Sequence, residues 1–67
     1  MGEIKGVNSQ EACAIIRDPL RAEPGLFLHK DGDLYVGIDN TTNDAWVEEF
    51  ATRKECVDWL TGESSDE

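Results

Sequence analysis

Cys13, His29 and Cys56 are the side chains of this 67-residue chain best suited to nucleophilic or metal chemistry. A thiolate nucleophile needs a nearby base or an electropositive setting. His29 is the only histidine, and it stands beside Lys30 in a run that reads as a strand. Cys56 falls on an apolar helical stripe. Cys13 follows a helix start, and core packing is the expectation for both thiols. Two cysteines and one histidine also miss the close-paired ligand spacing of a zinc site. Among oxygen ligands, Asp39, Thr41 and Asn43 alternate as EF-hand ligands do. However, Asp44 stands where the glycine is needed and Phe50 where the bidentate glutamate belongs. An Asx-type turn accounts for that run, and a hairpin accounts for Asp31 and Asp33. Asn40-Thr41-Thr42 spells a glycosylation acceptor, which only a secreted protein would use. The expectation is a chain with no catalytic set, no metal site and no cofactor.

Carboxylates remain in number: fifteen acidic side chains face six basic ones, a formal net charge of −9. That balance disfavours direct binding to nucleic acid, where lysine and arginine must replace counterions at phosphates. It equally disfavours docking on anionic lipid. It favours solubility and basic partners. The amino-terminal residues lack a basic-then-apolar secretory pattern, and no apolar run approaches the roughly 20 residues of a membrane helix. Both cysteines read as small core residues of a reducing compartment, so the expected setting is cytoplasmic. A chain this short buries only about 60% of the surface its unfolded form exposes, which makes self-association a natural supplement.

The elements that would position these groups follow from periodicity. Residues 1–7 either form a short strand around Ile4 or lead directly into the first helix. Asn8 and Glu11 have capping-box spacing, with Ser9 an equal alternative as the cap, and Ala12, Ile15 and Ile16 recur at helical intervals until Pro19 ends the run. Pro24-Gly25 marks a turn before Leu26-Phe27-Leu28-His29-Lys30, the first clear strand. Asp31-Gly32 is read as the centre of a type I′ hairpin, because that turn needs positive φ at both central residues. In the return strand Leu34, Val36 and Ile38 alternate with Tyr35, Gly37 and Asp39. A polar turn over 39–44 leads to the third strand, 45–50. Thr52 and Glu55 then cap a helix striped by Cys56, Val57 and Leu60, which Gly62 closes.

These elements predict an α+β fold over residues 1–62: a three-stranded antiparallel meander with an amino-terminal and a carboxy-terminal helix packed on one face. Residues 63–67 read as a disordered acidic tail. The expected core is Leu26 or Phe27 with Leu34, Val36, Ile38, Trp46, Phe50, Cys56, Val57, Leu60, Ile15 and Ile16. The stretch from Tyr35 to Phe50, followed by a capped helix with Trp59-Leu60, resembles small uncharacterised bacterial single-domain proteins. Many of these come from gut bacteria and their mobile elements. That resemblance covers the carboxy-terminal half and implies the fold and a bacterial cytoplasmic setting, with no activity attached.

With both helices on one face, the other face of the sheet would stay open. Phe27 and Tyr35 would then form an exposed aromatic patch, with Glu48 and Glu49 as acidic neighbours, and this is the candidate interaction surface. The functional expectation is a non-enzymatic protein-interaction module with a protein partner, or a homodimer in which that face or an unpaired strand edge pairs. The alternative is a nucleic-acid mimic in which Asp39, Asp44, Glu48, Glu49, Glu55 and Asp58 stand in for phosphates before a basic nucleic-acid-binding protein. A small enzyme subunit is the third and most distant reading.

Overall fold

The computed structural model describes residues 4–62, so the acidic tail at 63–67 lies outside the described residues. Its elements are β1 (Ile4–Gly6), α1 (Ser9–Arg17), β2 (Leu26–Asp31), β3 (Leu34–Asp39), β4 (Trp46–Phe50) and α2 (Arg53–Thr61). The fold is α+β, with a four-stranded mixed sheet in the order β1-β2-β3-β4. The predicted meander is present as β2-β3-β4, both pairs antiparallel. A fourth strand extends it: β1 pairs parallel with β2, Ile4 opposite Leu26. Parallel neighbours need a crossover, and α1 supplies it.

Local chemistry sets the helix ends. Asn8 Oδ1 accepts from the Glu11 N–H at 2.8 Å, and the Asn8 N–H donates to Glu11 Oε1 at 3.0 Å, a complete capping box. The helix stops at Asp18, ahead of Pro19, which disfavours helical geometry in the preceding residue. In α2 the Thr52 hydroxyl accepts from the Glu55 N–H at 3.2 Å, and Gly62 closes the helix at φ 73°. The hairpin differs from expectation by one residue. Asp31 pairs with Leu34, so Gly32 and Asp33 are the central pair, and only Gly32 has positive φ, 63°. Glycine in the first central position with one positive φ fits a type II′ turn, which twists with the strands as well as type I′ does.

The helices do not share a face, and this corrects the predicted packing. Ala12 and Ile15 of α1 pack with Phe27, Val36 and Ile38. Cys56 and Leu60 of α2 pack with Leu26, flanked by Ile4, Leu28, Tyr35 and Phe50. Because Phe27 pairs with Ile38 and Leu28 with Gly37, these two sets project from opposite sides of the pleat. The sheet is therefore covered by one helix on each side.

Gly37 is why α2 can sit where it does. A Cβ there would lie 3.0 Å from Cys56 Sγ and 3.1 Å from Trp59 Cε3, closer than side chains normally pack. Leu26 and Phe27 are both buried, one on each side, each contributing about 1.5–3 kcal/mol. By contrast Ile16, Leu34 and Trp46 are exposed and stand outside the core they were expected to join. One short helix per face is too little cover for the whole sheet. Leu34 and Val47 lie on the α1 side while α1 itself sits over β2, leaving the β4 half of that face open.

Candidate functional site

The predicted patch does not exist as one surface. Phe27 is only 5% exposed and lies under α1. Tyr35 is half-buried on the other side of the sheet beside α2, with Lys30 Nζ 5.8 Å from its ring centroid. Glu48 pairs with Gly37 and Glu49 with Val36, so the two carboxylates point to opposite faces. Both faces carry a helix, hence neither aromatic is left on an open face.

What is exposed instead is β4 itself. It is an edge strand, and Trp46, Val47, Glu48 and Glu49 are all exposed, Trp46 by 62%. Trp46 and Glu48 project to the α2 side, where the Trp59 ring lies 5.6 Å from that of Phe50. Val47 and Glu49 project to the uncovered part of the α1 side.

A buried clamp holds the start of this strand. Asn40 is 0% exposed. Its amide nitrogen donates to the carbonyls of Pro19 and Glu23, both at 3.2 Å, and its Oδ1 accepts from the Ala45 N–H at 3.1 Å. The Asn43 amide adds a bond to the Pro19 carbonyl at 3.1 Å. The turn before β4 is thus tied to the connector after α1, although Asn43 and Ala45 must adopt positive φ, 62° and 51°. For an alanine that conformation costs about 1–2 kcal/mol, and the three bonds made by Asn40 hold it in place. Sequence reasoning treated Asn40 as an ordinary turn residue. Its amide nitrogen, buried and bonded to two carbonyls, leaves no room for a glycan in this fold.

The other candidate groups do not converge. Asp39 Oδ1 accepts from the Thr41 N–H at 3.1 Å and from its hydroxyl at 2.6 Å, the Asx-type turn expected of that run. Cys56 is sealed between α2 and Gly37, and burial pushes its thiol up, partly offset by the Arg53 charge. A protonated, enclosed thiol is a poor nucleophile. Cys13 is exposed on α1, against the expectation that it would pack in the core. His29 Nδ1 lies 3.4 Å from the Val7 carbonyl, where it steadies the link from β1 into α1.

A cleft of about 420 Å³ lies between α1 and β1, lined by Val7, Ile15, Ala22 and Phe27 together with charged side chains of both signs, Lys5 and Arg21 beside Glu11, Asp18 and Glu23. Ile15 and Phe27 are already buried by their neighbours, so a ligand there would gain little further apolar contact. No helix among the described residues is long and apolar enough to cross a membrane. No protein-family model, curated protein or solved structure matches this chain.

Proposed function

We propose that this chain is a non-enzymatic protein-interaction module whose contact surface is β4 with its exposed tryptophan. The observation that carries the reading is Trp46, 62% exposed on an edge strand in a domain that buries its other ring-bearing hydrophobics at least in part. Tryptophan supplies a large apolar area with few rotamers to immobilise, and it is enriched among residues that dominate binding energy. The rigid clamp at Asn40 supports the same reading, because a fixed strand loses little entropy on docking. The partner is a protein of the same compartment, taken to be a bacterial cytoplasm from the resemblance of residues 35–50.

The mimic reading gains no particular support. Glu48 and Glu49 diverge across the sheet, Asp58 is paired with Lys54 at 3.1 Å, and Asp39 is engaged in its turn. The test is affinity capture with the tagged full chain and its Trp46→Ala variant. The variant is expected to lose the partner about tenfold or more while keeping its far-ultraviolet circular dichroism. Equal recovery by both proteins would contradict a contact through Trp46.

A further inference from the structure

We propose that β4 is a strand-addition edge that accepts an extended, lysine- or arginine-bearing segment of a different polypeptide, with a cation opposite Glu49 and an apolar side chain opposite Val47. This rests on the protein-interaction reading and narrows it to one kind of partner.

Among the described residues no strand pairs with the outer side of β4. The ladder shows which of its backbone groups are free. The Asn40 N–H donates to the Gly25 carbonyl at 2.8 Å, on the β2 side of β3. In an antiparallel sheet the N–H and C=O of one residue point the same way, and successive residues alternate. Ile38 and Val36 therefore also bond towards β2, while Asp39, Gly37 and Tyr35 bond towards β4. Their partners are Trp46, Glu48 and Phe50. The N–H and C=O of Val47 and Glu49 consequently face outward, ready to bond an added strand.

Several common guards of an edge are missing: β4 contains no proline and no lysine, and its register with β3 runs without a bulge. Its two charges instead select what pairs. An antiparallel second copy overlapping all five residues of β4 would set Glu48 against Glu48. Sliding one way sets Glu49 against Glu49. Sliding the other way leaves only residues 46–48 paired, because Ala45 at φ 51° is not extended. Like charges directly opposite one another destabilise a strand pair, whereas opposite charges stabilise it. A basic strand meets the reverse sign at the same positions, and the net charge of −9 attracts it from a distance. Trp46 on one side and Val47 on the other flank the added strand with apolar surface.

The probe is a short synthetic strand peptide with a valine and a lysine two residues apart, the spacing of Val47 and Glu49 along one face, with controls carrying glutamate for lysine or a central proline. It is titrated into the full chain with amide hydrogen exchange read residue by residue. The valine–lysine peptide is expected to slow exchange at Val47 and Glu49 by about tenfold or more, while both controls leave it unchanged. Glu49→Gln should weaken the peptide about two- to fivefold and flatten its salt dependence. Val47→Pro should abolish binding yet preserve the β3–β4 ladder, because it removes an outward donor. No protection with the lysine peptide, or equal protection by the glutamate peptide, would overturn the proposal. Protection appearing away from β4 would also overturn it while leaving the interaction reading intact. That broader reading fails on a different result, equal partner capture by Trp46→Ala.

Discussion

Asn40 carries more of this structure than any other polar residue. Its carboxamide makes three bonds in a site closed to water, so truncation leaves the Glu23 carbonyl and the Ala45 N–H unpartnered, while the Pro19 carbonyl keeps only its bond from Asn43. Asn40→Ala is expected to cost about 2–4 kcal/mol, a large share of the roughly 3–10 kcal/mol that a domain this size holds in reserve. A urea titration checks this through a lowered midpoint at unchanged slope. The sequence marked Asn40 as a turn former, which is correct locally. Its burial depends on a loop some twenty residues earlier folding back over it, and no local pattern records that.

Cys56 gives a second test at the level of single groups. Burial holds its thiol protonated at a pH where the unfolded thiol has begun to ionise. Its contribution to stability is therefore complete below the ordinary thiol range and is lost as pH rises through the elevated folded value. Stability should fall on that alkaline limb, and Cys56→Ala should flatten this part of the fall. In the native chain iodoacetamide should label Cys13 readily and Cys56 only through opening.

The elements themselves were largely legible. Both caps, the proline stop of α1, the hairpin and the left-handed Gly62 follow from residue types acting over three or four positions. Their arrangement in space was less so. Leu26-Phe27-Leu28 is an unbroken apolar run, the mark of a strand buried on both sides, and Gly37 inside a strand marks close approach of another element. Read together, those two signals place a helix on each face. The strict alternation of Leu34, Val36 and Ile38 pointed instead to one covered face, while the Asp31-Gly32 dipeptide placed the hairpin one residue early. β1 was ambiguous because three residues that pair parallel across a helix leave almost no local trace. Gly37→Ala tests the packing directly. The methyl would press on Cys56 and Trp59, so a loss of about 1–3 kcal/mol is expected, with a shift in Trp59 fluorescence as α2 moves outward. An unchanged unfolding midpoint would mean that α2 does not rest on Gly37.

For the molecule as a whole, two short helices on opposite faces leave the α1 side of the sheet bare towards β4, while α2 packs against β4 at Phe50. The expected aromatic patch at Phe27 and Tyr35 dissolves on folding, yet Glu48 and Glu49 remain at the surface, now on an edge rather than a face. Trp46 was expected in or beside the core as a large apolar residue of the third strand. Its exposure follows from α2 ending its cover near Trp59 and Phe50.

The most direct measurement is amide hydrogen exchange over residues 46–50, in the free chain and in the complex recovered from the host lysate. Contact through β4 predicts that Val47 and Glu49 exchange rapidly in the free chain, because their N–H groups face solvent, and become the most protected amides of the strand in the complex. Unchanged exchange along β4, with protection confined to α1 or the cleft beside β1, would contradict it.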